Sequence, residues 1–229
     1  MSASPASFRA RVRSGVEPIA RVFGRVGLSP NALTLIGFGI AVAAAVAAAG
    51  QAYIWAGVLL AFGALFDLFD GALARATNRT SRFGAFMDSV FDRAGEAVVY
   101  AGIVYGTAVY GWWIASGLAA AAMAGSFMVS YTRAKSEGLG FSSGTGMANV
   151  GLAPREIRIV ILVIGLLMAD FAGGVETCAA IGCENSVAFG RIWLVGALGL
   201  IAVLATVTTI QRILFVYRQS KSSNQEVQE

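Results

Sequence analysis

At 229 residues, 57% hydrophobic and only 13% charged, the chain is too apolar for an ordinary soluble domain, in which about a quarter of residues are charged. Its 28 glycines suit closely packed membrane helices, where small side chains let backbones approach. The absence of histidine excludes a Ser-His-Asp relay and any His-ligated zinc or haem. The net charge of +4 gathers at the ends of apolar runs, not on the interleaved aromatic and basic face that nucleic acid needs, so no nucleic-acid partner is expected.

In chain order, the first segment is Phe8–Arg25, which places Phe8, Val12, Val16, Ile19, Val22 and Phe23 among arginines. It reads as an amphipathic juxtamembrane helix on the membrane surface; a disordered basic leader is the competing reading. Six apolar runs follow: Leu33–Gly50, Tyr53–Leu73, Phe86–Val109, Trp112–Tyr131, Ile157–Ala172 and Ile192–Ile210. A spanning helix needs about 20 residues, so the fifth is short and the others suffice. The basic leader is too long for a signal-peptide n-region, and the first run is expected to be an uncleaved span.

The expectation is thus an all-α integral membrane protein with six transmembrane helices and one domain over 1–229. A basic amphipathic segment covers 1–30, the helical bundle 31–215 and a tail 216–229. Lysines and arginines fall on one side: Arg9 to Arg25, then Arg75, Arg79 and Arg82, then Arg133, Lys135, Arg155 and Arg158, then Arg212, Arg218 and Lys221. The other side has Arg191 alone. Both termini are therefore expected on the cytoplasmic face of the cell membrane. Cys178 and Cys183 fall in an outward loop, where a loop-closing disulfide and two free thiols are equally open.

The chemistry gathers in "FDLFDGALARATNRTSRFGAFMDSVFDR". Asp67 and Asp70 stand three residues apart near the inner end of the second span, and Asp88 and Asp92 four apart near the start of the third. Each pair projects from one helix face, and antiparallel neighbours can bring all four to one depth. Single aspartates at helix ends usually cap helices or pair with arginine. Four at this spacing point to function, since intramembrane acids rarely serve otherwise. Hard oxygen ligands without His or Cys select Mg²⁺, Mn²⁺ or Ca²⁺, and Mg²⁺ favours a few carboxylates plus substrate phosphates. Gly71, Ala74 and Gly84 leave the helix surfaces bare for a phosphate or, alternatively, for helix packing. Arg75 can offer a fork to a phosphate or anchor the inner face.

The pattern Asp67-x2-Asp70-Gly71-x2-Ala74-Arg75-x8-Gly84-x3-Asp88-x3-Asp92 resembles the signature of the CDP-alcohol phosphotransferase family. "LSPNALT", Leu28–Thr34, and the six-helix pattern look like that family too. The resemblance implies a membrane enzyme that moves a phosphatidyl group from CDP-diacylglycerol, or a related CDP-lipid, to a polar alcohol, releasing CMP. It implies two divalent ions, Mg²⁺ or Mn²⁺, on Asp67, Asp70, Asp88 and Asp92, with Asp92 also the general base. It implies a CDP site at Gly71, Ala74, Arg75 and Gly84 with Asn31 and Thr34, and a homodimer.

For the acceptor, Arg133, Lys135, Arg155 and Arg158 stand at the inner ends of spans four and five, suiting an alcohol that carries phosphate. Topology-setting charge is the duller reading of each. "GAFMDSVFDR" and "SYTRAK" look like the phosphatidylinositol-phosphate synthase branch, which implies inositol phosphate, although "APREIR" departs from that branch's common "ERxER" form. Glycerol 3-phosphate, serine and inositol are the alternative acceptors. A metal-binding transporter is the rival from another class. Glu96 shares the face of Asp92, either lining the acceptor pocket or partnering a buried cation.

Overall fold

Alanines take many of the interior positions, beside buried Tyr53, Tyr100, Ile103 and Leu166, while other large apolar side chains cover the outside. Ala44, Ala48, Ala56, Ala115, Ala119 and Ala122 are buried, whereas Val46, Trp55, Ile114 and Trp193 are exposed. Such an outer surface is stable only against lipid. The computed structural model describes residues 28–76, 81–141, 150–171 and 184–226, with side chains at 68, 70–72, 74–76, 171, 184–189 and 222–226 outside the description. The expected amphipathic segment Phe8–Arg25, Arg79, and Cys178 with Cys183 lie outside the described residues.

Six helices are described, and no strand among the described residues. They are α1 (Pro30–Ala49), α2 (Tyr53–Ala76), α3 (Arg82–Val109), α4 (Trp113–Gly138), α5 (Arg155–Phe171) and α6 (Glu184–Glu226). Three are long and apolar enough to cross a membrane: α1, α4 and the Gly190–Lys221 stretch of α6. Helix α2 is apolar over Tyr53–Asp67. Helices α3 and α5 carry the buried charges described below, which dilute their hydropathy. Helix α4 runs two turns past Tyr131 and α6 extends beyond both ends of its apolar run. Apolar runs mark where lipid would lie, but backbone hydrogen bonding continues through polar residues beyond it.

Local signals start the helices. Ser29 caps α1 by accepting from the Ala32 amide at 3.2 Å, with Pro30 at the first position. Ser81 caps α3 by accepting from Gly84 at 2.9 Å. A left-handed Gly111, φ 74°, turns α3 into α4, and Thr107 and Ser116 hydrogen-bond across that turn at 2.7 Å. At the opposite corner, Asp170 of α5 accepts from the Ile54 amide at 2.8 Å and so caps α2.

The helices close into a ring: α1 packs on α2 and α3, α2 on α5, α5 on α6, α6 on α4, and α4 on α3. The contact between α1 and α3 depends on Gly102, where an added Cβ would run into the backbone carbonyl of Ala45. Gly102→Ala should therefore destabilise the protein by about 1–3 kcal/mol, the usual range for overpacking. Gly117→Ala, at a position with nothing within 4 Å, is the control and should leave the melting temperature in detergent unchanged.

Candidate active site

The ring brings the end of α2 and the start of α3 to one side of its interior and the first turn of α5 to the other. Asp67 and Asp70 lie on the last turns of α2, with Gly71, Ala74 and Arg75 following; of these, the Asp67 side chain is described. Asp67 packs beside α1, its Oδ1 3.4 Å from where a Cβ on Gly37 would stand. The Ser81 cap fixes where α3 begins and sets Asp88 and Asp92 one turn apart on its inner face.

Asp88 and Asp92 stand within electrostatic reach of Asp67, Arg93 and Arg155. Arg155 spans the ring to meet them. One terminal nitrogen lies 2.9 Å from Asp67 Oδ2 and the other 2.9 Å from Asp92 Oδ1. Arg93, next to Asp92, approaches it at 3.6 Å. These side chains keep partial exposure: 27% for Asp67, 17% for Asp92 and 24% for Arg155. A small molecule can therefore reach this level of the ring.

Beneath it is a small cavity of about 40 Å³, lined by Asp67, Asp92, Glu96, Arg155 and Arg158 together with apolar side chains that include Leu59, Val99 and Leu162. Thr34 lines it too, and its hydroxyl donates to the Pro30 carbonyl at 3.2 Å. On the α1–α3 side, a Cβ at Gly84 would stand 3.4 Å from Asn31 Oδ1 and 3.0 Å from Ser81 Oγ, so Asn31 and Gly84 are neighbours.

Among the described residues no three acidic side chains close around one ion. Asp67 and Asp92 instead share the Arg155 guanidinium. The donor set nevertheless fits a hard divalent cation: every candidate ligand is a carboxylate oxygen. Asp67 and Asp92 come from two helices and already converge on one cationic group.

The four cations expected to hold an acceptor phosphate are divided by the fold. Arg155 stands at the carboxylates. Arg133 lies at the exposed end of α4, paired with Glu137 at 2.9 Å. Lys135, also exposed, borders a groove with Tyr131, Leu139 and Arg212. Arg158 departs from the expectation. It is 1% exposed, and its guanidinium is used on Glu96, at 3.2 Å, and on the Ala153 carbonyl, at 2.9 Å. Glu96 is thereby the partner of a buried cation, one of the two roles open to it.

Arg212 was expected only to set topology. It is 4% exposed and donates to the carbonyls of Val150, at 3.0 Å, and Val129. Nothing in the run "TTIQRILF" marks that arginine as buried, because its acceptors are backbone carbonyls far away in the chain.

Residues 27–211 match the family model described as CDP-alcohol phosphatidyltransferase. An archaetidylinositol phosphate synthase of Pyrococcus horikoshii is 36% identical over 205 residues, covering 90% of this chain and 92% of that protein. A phosphatidylinositol phosphate synthase of Mycobacteroides abscessus is 33% identical over 200 residues, covering 86% and 80%. The Mycobacterium tuberculosis phosphatidylinositol phosphate synthase is similar in structure. Its form with CDP-DAG bound aligns with TM-score 0.73 and 27% identity, over 88% of this chain and 93% of that one. Its form in complex with manganese and citrate aligns with TM-score 0.74 at the same identity, over 88% of each chain. A signature that runs through the carboxylates of α2 and α3, a family model spanning most of the chain and relatives matched almost end to end agree: the chain belongs to the CDP-alcohol phosphatidyltransferase family.

Proposed function

We propose that this enzyme transfers a phosphatidyl group, or the equivalent group of a related CDP-lipid, to the hydroxyl of inositol phosphate and releases CMP. The observation that carries the reading is the convergence of Asp67, Asp92 and Arg155 from three helices at one partly open level of the ring. The relatives' names support the acceptor. The archaeal and mycobacterial proteins are named for different lipids but share the inositol phosphate headgroup.

In this reading Asp67, Asp70, Asp88 and Asp92 hold Mg²⁺ or Mn²⁺, in keeping with the manganese complex of the similar structure. The metal would neutralise the pyrophosphate and make its lipid-side phosphorus electrophilic. Asn31, Thr34, Gly71, Ala74, Arg75 and Gly84 receive the CDP moiety. The acceptor oxygen attacks the lipid-side phosphorus, the bond from that phosphorus to the CMP oxygen breaks, and the proton passes to the Asp92 carboxylate. Arg155 and Lys135, with Arg133 at the rim, take the acceptor phosphate. The apolar outer surface keeps the lipid tails in the bilayer. All six helices span it, with both termini and the site on the cytoplasmic side of the cell membrane. The basic ends of α3, α4, α5 and α6 support that orientation. We place Phe8–Arg25 on the same face, and the working unit is a homodimer.

Two outcomes test this reading. Asp92→Asn should lower turnover roughly 10²–10⁴-fold, the span of general-base catalysis, and leave the Michaelis constant for CDP-diacylglycerol nearly unchanged. CMP release by purified protein in defined lipid measures both, and full turnover after exhaustive chelation of divalent ions would remove the metal from the reaction. For the acceptor, inositol phosphate should outperform free inositol, glycerol 3-phosphate and serine. Lys135→Ala should raise the Michaelis constant for inositol phosphate about ten- to a hundredfold, as expected for one lost charged hydrogen bond. An uncharged alcohol proving the better substrate would overturn the acceptor assignment.

A further inference from the structure

Arg155 and Arg158 stand three residues apart on the first turn of α5, and Asp92 and Glu96 four apart on α3. Each of these pairs shares one helix face, so the two helices meet across the ring by two rungs, Asp92–Arg155 and Glu96–Arg158. The rungs differ in exposure. At the upper one Asp92 and Arg155 remain 17% and 24% exposed. At the lower one the side chains are 7% and 1% exposed, and the guanidinium meets both carboxylate oxygens: Nε and Nη2 reach Oε1 at 3.2 Å, and Nη2 reaches Oε2 at 3.3 Å. The remaining terminal nitrogen donates to the Ala153 carbonyl. Every nitrogen of the Arg158 guanidinium thus has a partner within the fold, and the side chain is 1% exposed.

The stretch that leads into α5 is gripped from its other side as well. Thr208 Oγ1 accepts from the Ala153 amide at 3.1 Å, and Arg212 donates to the Val150 carbonyl at 3.0 Å. Gly151, at φ 119°, passes so close to Thr208 that a side chain there would collide with it. Residues 150–154 are thus held by α6 on one side and, through Arg158, by Glu96 of α3 on the other.

We propose that Glu96 and Arg158 are positioning residues of the transfer reaction. Their closed pair fixes the height and rotation of α5 against α3 and so sets Arg155 between Asp67 and Asp92. A two-point contact between a rigid fork and a carboxylate has a defined direction as well as a distance, which a single hydrogen bond lacks. One helical turn is about 5.4 Å, so a small slip or rotation of α5 carries Arg155 off one of its two carboxylates. The proposal rests on the transferase reading but not on the identity of the acceptor.

The test is a double-mutant cycle with Glu96→Gln, Arg158→Gln and the paired replacement, in full-length protein purified in detergent. CMP release from CDP-diacylglycerol is followed with whichever alcohol the wild type uses, so an unexpected acceptor overturns the acceptor assignment and leaves this experiment intact. Each single variant should lower kcat tenfold or more, with the Michaelis constant for CDP-diacylglycerol within about twofold of wild type. The paired variant, whose two amides can still bond across the same gap, should be no slower than the poorer single. It also buries no unpaired charge, so it reports on geometry even where a single variant fails to fold. Losses that multiply in the paired variant would overturn the proposal. So would a raised acceptor Michaelis constant in Arg158→Gln that Glu96→Gln does not share, since that makes Arg158 an acceptor ligand.

Discussion

Charge balance inside a ring of apolar helices is the constraint on which the rest depends. Four described carboxylates, Asp67, Asp88, Asp92 and Glu96, gather with three guanidiniums, Arg93, Arg155 and Arg158, at depths running from partly exposed to sealed. Ions so placed are tolerated only when paired, because desolvation otherwise outweighs every other gain. The pairs that result are long-range in sequence. Arg155 and Asp67 are 88 residues apart, and Arg158 and Glu96 are 62. The site therefore comes into being only when α5 has docked across the ring. The arginines leave a formal negative excess that a divalent cation would offset, which ties the metal chemistry to the same balance.

Small residues make that docking possible. Gly102 and Gly106 let α1 lie against α3, and Gly165 lets α5 lie against Ala197 of α6. With no difference in hydrophobicity between lipid and side chain to drive helices together, close backbone approach has to supply much of the cohesion. Gly37 serves the site more directly. Its bare surface lies against Asp67 and Phe66 of α2, so α1 passes directly beside one of the clustered carboxylates.

Much of this was legible in the sequence, for physical reasons that also mark the limit. Asp67 and Asp92, which both meet Arg155, come from the two carboxylate pairs whose spacing puts each pair on one helix face. The apolar runs located the six described helices, but α4 and α6 run on into polar residues, because hydropathy records the lipid boundary and not the end of hydrogen bonding. The arginines were harder. Arg133, Lys135, Arg155 and Arg158 look equivalent in sequence: all are basic and at the same membrane face. The ring separates them, leaving two at the rim, one at the carboxylates and one sealed inside. Arg212 gave no signal at all, since its partners are backbone carbonyls, and every residue type has those.

The separation between Arg155 and Arg158 has a physical logic of its own. A cation that meets substrate must be able to exchange one partner for another, so it needs some contact with water and competing acceptors of similar strength. Arg155 has both, held between two carboxylates and partly exposed, with its Nε unpartnered. A cation that sets geometry needs the opposite: fixed partners, no competing carboxylate and no water. Arg158 meets those conditions one turn further into the same helix. The residue type and the helix are the same; the difference comes from depth and from Asp67 of α2, which Arg155 meets in addition to a carboxylate of α3. In the proposed reaction, two arginines three residues apart would thus divide between them the rigid contact that places the site and the exchangeable contact that transfer requires.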